Sequence, residues 1–82
     1  MKKVLYFSAG WCGPCKQLGP IMESLSSEIN YEKINVDTTP DLVTQYGIRN
    51  IPTMILIKDG EAVDRKTGLL PKQEILNWYN NG

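Results

Sequence analysis

Histidine is absent from this sequence of 82 residues, and cysteine occurs only twice. Small secreted scaffolds usually carry several cysteines far apart, so that their disulfides close long loops. Here Cys12 and Cys15 lie only three positions apart. On the loop-entropy model a ring this small stabilises a chain by only about 2 kcal/mol. We therefore interpret the pair as a reactive site rather than as a structural crosslink.

A net charge and long apolar runs are also lacking. Lys plus Arg and Asp plus Glu both number 9, so the chain has no single-sign field to attract nucleic acid, an anionic membrane or an acidic substrate. The apolar runs are too short to cross a bilayer, and the one after Lys3 is too short for a signal peptide. We expect a soluble cytoplasmic protein without nucleic-acid or membrane partners.

The composition is that of an ordinary globular protein. Apolar residues make up 41% of the chain and charged residues 22%, which excludes a disordered segment. The sequence shows no internal repeat, low-complexity tract or linker. The length fits one small domain, and we expect residues 1–82 to form it.

Hydrophobic periodicity and turn residues predict alternating strands and helices. The strands are expected at residues 3–7, 32–36, 53–57 and 62–66, and the helices from near Gly13, up to Tyr46 and after Pro71. A strand–helix–strand unit implies parallel strands, whereas Asp59-Gly60 is typical of an antiparallel hairpin. The fold class is therefore α/β, with a mixed sheet and the element order β-α-β-α-β-β-α.

The two cysteines lie where the first predicted strand meets its helix, in the segment Trp11-Cys12-Gly13-Pro14-Cys15. Unpaired N–H groups and the positive end of the helix dipole stabilise an anion at Cys12, so its thiol should ionise readily. Cys15, one turn further on, should face the core and stay protonated until needed. Pro14 suits a first helical turn, and Gly13 lets a partner chain approach closely.

This arrangement predicts two successive thiol–disulfide exchanges. The Cys12 thiolate attacks a substrate disulfide and forms a mixed disulfide. Cys15 then attacks Cys12, which releases the reduced substrate and leaves Cys12 and Cys15 oxidised. A lowered thiol pKa activates the nucleophile here, because the chain has no histidine to act as its base.

Zinc binding is the main alternative interpretation of a Cys-x-x-Cys pair. Zinc needs about four ligands, commonly Cys or His. With two cysteines and no histidine, a site within one chain would need carboxylates, and an all-cysteine site would need two chains. We expect no metal and no cofactor other than the redox-active disulfide.

The hexapeptide Trp-Cys-Gly-Pro-Cys-Lys, which ends at Lys16, resembles the active-site signature of the thioredoxin family. The resemblance extends over almost the whole chain with near-family spacing. Its further matches are Pro20, Asn35-Val36-Asp37, Pro40, Tyr46-Gly47-Ile48-Arg49, Ile51-Pro52-Thr53, Lys58-Asp59-Gly60 and Gly68. Within this set, Pro20, Asp37 and Pro40 look architectural.

The resemblance implies a three-layer α/β/α fold with a four-stranded sheet in the order 2-1-3-4. It also implies a cis bond between Ile51 and Pro52, where the sequence alone indicates only an extended or turn dipeptide. The backbone of Ile51 would then pair with an extended substrate segment. The implied substrate-contact residues are Trp11, Gly13, Pro14, Ile51, Pro52 and Gly68.

The chain departs from the family pattern at three points. It begins directly at the strand that leads into the cysteines, whereas most thioredoxins have a strand and a helix before it. Tyr6 stands where the family has a buried carboxylate that serves proton transfer for the resolving cysteine, and a tyrosine is a poor base at neutral pH. Ser8 stands where many relatives have a second tryptophan. Lys33 matches a lysine near the resolving cysteine, so Tyr6 and Lys33 are candidates for tuning its pKa.

The resemblance implies a monomeric protein-disulfide reductase of the cytoplasm. Gly-Pro between the cysteines is the choice of the reducing members. Its substrates would be disulfide-containing proteins such as a ribonucleotide reductase, and a thioredoxin reductase or another dithiol donor would recharge it. Two alternatives remain: a glutaredoxin-like protein reduced by glutathione, and a binding module that serves a larger enzyme independently of its cysteines.

Overall fold

A computed structural model describes all residues from 1 to 82. It contains four strands and three helices in the predicted order. They are β1 (Lys2–Ser8), α1 (Gly13–Ser24), β2 (Tyr31–Asn35), α2 (Pro40–Tyr46), β3 (Thr53–Lys58), β4 (Glu61–Thr67) and α3 (Lys72–Asn81).

The four strands form one mixed sheet in the order β2-β1-β3-β4. β1 pairs with β2 in parallel, while β1 with β3 and β3 with β4 pair antiparallel. The helix α1 makes the crossover between the two parallel strands, which such a connection requires. Both the mixed sheet and the predicted strand order are confirmed.

Alternation along β1 divides the core between the two faces of the sheet. Val4 and Tyr6 join the larger cluster, in which α1 and α3 contribute Leu18, Met22, Ile75 and Trp78.

Leu5 and Phe7 join the smaller cluster on the other face, against which the α2 side chains Leu42 and Tyr46 pack. Successive side chains of a strand point to opposite faces, so one strand supports both helical layers. The three-layer architecture is confirmed.

The first part of β3 is buried, whereas its end is exposed and leads into a turn. Residues 53–56 are buried, which fits a strand covered on both faces. The following Asp59 and Gly60 both adopt positive φ, of 53° and 87°, and turn the chain into β4. β4 forms an edge of the sheet, and nearly all of its residues are exposed. Its exposed, mostly polar side chains suit an edge strand.

The N-terminus of α2 has no side-chain cap. Thr39 occupies the cap position, but its side chain makes no capping hydrogen bond. The hydroxyls of Thr38 and Thr39 donate instead to the backbone oxygen of Asn35. A threonine hydroxyl can either cap a helix or bond the backbone of a nearby turn, and here both hydroxyls bond the turn after β2.

The C-terminus of α2 is closed by two features. Gly47 adopts the left-handed conformation with φ of 61°, which ends the helix as predicted. The guanidinium of Arg65 on β4 donates to the backbone oxygens of Tyr46 and Gly47. A cation there also complements the negative end of the helix dipole. None of the three helices has the length and apolar character that a bilayer span requires.

Candidate active site

The cysteine pair lies where β1 ends and α1 begins. Cys12 is the N-cap residue of α1, and its Sγ accepts a hydrogen bond from the backbone N–H of Cys15 at 3.2 Å. Gly13 and Pro14 follow as exposed residues of the first turn. A sulfur at this position receives both a helix N–H group and the positive end of the helix dipole, which favours its thiolate form.

The structure contains the oxidised form of the pair, with a disulfide between Cys12 and Cys15 and Cα atoms 5.2 Å apart. Cys12 is 5% exposed and Cys15 4% exposed. They form a small apolar cluster with Ala9, against which Ile51 packs. The sheet, the helix and the loop before β3 therefore enclose the two sulfur-bearing residues together.

The loop before β3 and the loop after β4 are joined beside this cluster. The Ile51–Pro52 peptide bond is cis, as the family resemblance implies. The backbone N–H of Gly68 donates to the oxygen of Pro52 at 2.8 Å. Gly68 has a φ of 93°, which glycine adopts without the steric penalty that a side chain brings. The predicted contact residues from these two loops therefore adjoin each other.

Trp11 presents a large apolar side chain to solvent next to the cysteines, with 68% of its surface exposed. Its indole Nε1 donates to the carboxylate Oδ2 of Asp37 at 2.9 Å. This bond connects the ring to the turn that follows β2. Asp37, which looks architectural in the sequence, therefore also positions Trp11, and this contact was not predicted.

We expect Trp11→Ala to weaken substrate binding while leaving the fold intact. Burying a tryptophan against a partner contributes up to a few kcal/mol, so the KM for a protein disulfide should rise about tenfold, with a smaller change in kcat. Steady-state kinetics with a protein disulfide measure this effect. Val63→Ala, which truncates an exposed apolar side chain on β4, is the matched control and should leave KM unchanged.

Tyr6 lies under the helix that bears the cysteines. Its side chain is buried, and its hydroxyl donates to the backbone oxygen of Cys15 at 3.2 Å. Burial raises the pKa of Tyr6 above its ordinary value of 10.0, which a hydrogen bond with Ser8 offsets in part and nearby Tyr31 reinforces. The hydroxyl therefore stays protonated at neutral pH and acts as a donor, not as a base.

Tyr6→Phe should lower stability without slowing the redox reaction. Loss of the hydrogen bond to Cys15 should cost about 1 kcal/mol of unfolding free energy at neutral pH. Because the folded-state pKa is raised, this advantage is present below pH 10.0 and shrinks as the pH rises through the folded value. Denaturant titrations of both proteins across this range measure it. A large loss of turnover at neutral pH would contradict the assignment of Tyr6 as a donor only.

Lys33 lies on β2, directly opposite Tyr6 in the register of the parallel pair. It lines a pocket of about 330 Å³ at the β1–α1 junction. The complete lining is Ser8, Ala9, Gly10, Cys15, Lys16, Lys33 and Asn35. The structure therefore brings Lys33 and Cys15 to one pocket. Lys16, Ser8 and Asn35 belong to it as well, and no sequence pattern predicted their place there.

No group of three or more His, Cys, Asp or Glu side chains is placed to hold a metal ion. The reactive groups that the structure brings together are the two cysteines. A sulfur at a helix N-terminus is joined to a second sulfur one turn into the same helix. An exposed tryptophan and two adjoining loops surround them.

Comparison with known proteins gives a consistent result. Residues 1–81 match the family model for thioredoxin. The thioredoxin of Rickettsia felis is 46% identical over 78 residues, which span 90% of this chain and 74% of the relative. The thioredoxin of Chlorobaculum thiosulfatiphilum is 49% identical over 73 residues, which span 84% and 68%.

A solved structure shows the same similarity in three dimensions. A single-residue mutant of a thioredoxin from Halobacterium salinarum superposes with a TM-score of 0.92 at 34% sequence identity. The match covers 98% of this chain and 73% of that one. Together with the disulfide at the start of α1, these matches show that this chain belongs to the thioredoxin family, whose members are protein-disulfide oxidoreductases.

Proposed function

We propose that this chain reduces disulfides in cytosolic proteins through a mixed disulfide on Cys12. The observation that carries the proposal is the position of Cys12 at the N-cap of α1, where its Sγ accepts the N–H of Cys15. A stabilised thiolate is the attacking species in thiol–disulfide exchange. Cys12 is therefore the nucleophile, and Cys15 is the resolving cysteine.

The first exchange begins with the reduced chain. The Cys12 thiolate attacks one sulfur of the substrate disulfide, and the bond between the two substrate sulfurs breaks. The second substrate sulfur leaves as a thiolate and takes a proton from solvent. The product is a disulfide between Cys12 and the substrate.

The second exchange releases the substrate. Cys15 loses its proton, and its thiolate attacks Cys12 Sγ, which breaks the bond to the substrate. The substrate leaves as a thiolate, and the pair is oxidised to the disulfide that the structure contains. An external dithiol, such as that of a thioredoxin reductase, then reduces the pair and starts a new cycle.

The surface around Cys12 supports binding of an extended segment of the substrate. No backbone hydrogen bond within the chain uses Ile51, so its N–H and C=O are free to pair with a partner backbone. Trp11, Gly13 and Pro14 are exposed next to the cysteines. Gly68 is half-buried and bonds the backbone oxygen of Pro52, whose side chain is buried, so Pro52 would take part through its backbone. We assign substrate contact to all six residues.

Other parts of the proposal follow from the sequence and the family. Residues 1–82 form a single domain that works as a monomer in the cytoplasm, with the cysteine pair in place of a bound cofactor. The substrate class is proteins that end their own reaction cycle with a disulfide, such as ribonucleotide reductases. Lys33 tunes Cys15 from the pocket that both residues line.

The test is the reduction of a protein disulfide by a limiting dithiol, with and without catalytic amounts of the native chain. We expect rapid turnover by the native chain and none by a Cys12→Ser, Cys15→Ser double variant that is still folded. No acceleration by a folded, fully reduced native chain would overturn the proposal. If glutathione alone reduced the chain as fast as a dithiol does, the result would instead favour the glutaredoxin-like alternative.

A further inference from the structure

The pocket beside Cys15 bears on the second exchange, in which this thiol must lose its proton. The titratable groups that face Cys15 are Tyr6 from β1, Lys16 from α1 and Lys33 from β2. Tyr6 stays protonated at neutral pH, and a lysine ammonium group carries hydrogen-bond donors only. The lining contains no Asp or Glu, and the chain has no His. None of the side chains that line this pocket can therefore act as the base at neutral pH, and a base that enters the pocket from solvent can.

We propose that this pocket, hereafter the Ser8 pocket, binds a small oxyanion that takes the proton of Cys15. The inference rests on the proposed function, because only the resolving step uses this base. The ligand class is a small anion with basic oxygen atoms, such as hydrogen phosphate.

The strand register builds the Ser8 pocket. Ser8 lies on the same face of β1 as Tyr6, and in the parallel pair Ser8 lies opposite Asn35 while Tyr6 lies opposite Lys33. The pocket therefore lies between the end of β2 and the first turn of α1, with Cys15 in its wall. Its volume of about 330 Å³ corresponds to about ten water molecules, which is enough for a hydrated phosphate. The small side chain of Ser8 leaves this space open.

The charges of the Ser8 pocket favour an anion. Lys16 and Lys33 supply two positive charges, and no carboxylate lines the pocket. Neither lysine forms a salt bridge, since the two ion pairs of the chain join the N-terminus with Asp59 and Lys3 with Glu32. Two lysine ammonium groups without ion-pair partners attract an oxyanion to the Ser8 pocket more strongly than they attract a neutral base.

The proton transfer balances without any other reactant. The oxyanion takes the proton from Cys15 Sγ, and the thiolate attacks Cys12 Sγ. The substrate sulfur leaves as a thiolate and is protonated by solvent, and the protonated oxyanion exchanges its proton with water. No electron passes to the oxyanion, so it acts as a general base only.

The test measures the resolving step alone. The reduced chain is mixed with an excess of an aromatic disulfide whose thiol product is coloured, and stopped-flow absorbance follows two releases. The first release reports attack by Cys12, and the second reports attack by Cys15 on the mixed disulfide. The phosphate concentration is varied at constant pH and ionic strength, and imidazole, whose basic form is neutral, is the comparison buffer.

We expect phosphate to accelerate the second release about tenfold with saturation, and imidazole to accelerate it much less. Ser8→Trp fills the pocket and should remove the phosphate dependence while the first release stays unchanged. Ser26→Trp, at an exposed position of the turn after α1, is the matched control and should keep it. Lys33→Met should raise the phosphate concentration needed for half of the effect, and Lys33→Arg should restore it.

A second release that does not depend on phosphate in the native chain would overturn the oxyanion site. So would a dependence that survives in folded Ser8→Trp. If Ser8→Trp does not fold, an unchanged phosphate dependence in Lys33→Met has the same meaning. Absence of the first release would instead overturn the proposed function, so the two failures are distinguishable.

Discussion

Cys12→Ser should abolish turnover completely, whereas Cys15→Ser should stop the reaction after its first half. The difference follows from the helix terminus, because only Cys12 lies at the N-cap of α1 with an N–H directed at its sulfur. A serine hydroxyl at this position does not ionise at neutral pH and attacks no disulfide. A serine at position 15 leaves Cys12 active but removes the group that releases the substrate.

Mass spectrometry of both variants after incubation with a protein disulfide measures this prediction. Cys15→Ser should accumulate a covalent complex through Cys12 that a small dithiol dissolves, and Cys12→Ser should accumulate none. The two variants remove the same disulfide and therefore serve as controls for each other's stability. A complex formed equally well by both variants would show that the two thiols have interchangeable roles.

Phe7→Ala should remove a large part of the free energy of unfolding. Phe7 is fully buried, and its ring packs edge-to-face with the ring of Tyr46, with centroids 6.0 Å apart. It connects α2 to the sheet within the smaller core cluster. Truncation of a buried phenylalanine costs about 3–5 kcal/mol, whereas a chain of this length has a total stability of about 4–12 kcal/mol.

Chemical denaturation with the pair kept oxidised measures the effect of Phe7→Ala. Val63→Thr is the matched control, because Val63 is exposed on β4 and threonine keeps the β-branched shape; it should change stability by less than about 0.5 kcal/mol. A loss below about 1 kcal/mol for Phe7→Ala would contradict the packing of α2 against β1.

The order of elements could be predicted from the sequence because local patterns specify it. The buried run of β3, the turn at Asp59 and Gly60, and the glycine at the end of α2 each have a local physical cause. The order of the strands within the sheet could not be predicted in this way. The sequence predicts a parallel and an antiparallel pair, but it does not predict which strands are central. The resemblance to the thioredoxin family supplied that order.

The cysteines could be found from their spacing, but several contacts of the site could not. Trp11 and Asp37 lie 26 positions apart, and their hydrogen bond depends on how β1 and β2 are paired. The Ser8 pocket depends on the same register, which decides that Ser8 and Lys33 share a face. Such contacts follow from long-range pairing, and no local pattern predicts them.

The cap of α2 shows a different limit of sequence reasoning. The threonines before this helix are good capping residues, yet their hydroxyls bond the backbone of Asn35. A threonine hydroxyl can bond either the first N–H groups of a helix or a backbone oxygen of the preceding turn, and here both hydroxyls bond the turn that follows β2. At the other end of the helix, the side chain of Arg65 on β4 donates to the carbonyl oxygen of Gly47, which lies 18 positions earlier in the chain.

The central claim is that the start of α1 makes Cys12 the activated nucleophile of the pair. Alkylation of the reduced chain by iodoacetamide, followed across pH and assigned by mass spectrometry, tests it most directly, because the rate at each cysteine follows its thiolate fraction. We expect Cys12 to react first and to keep reacting at a pH where Cys15 is inert. Faster reaction of Cys15, or equal reaction of both at every pH, would contradict the claim.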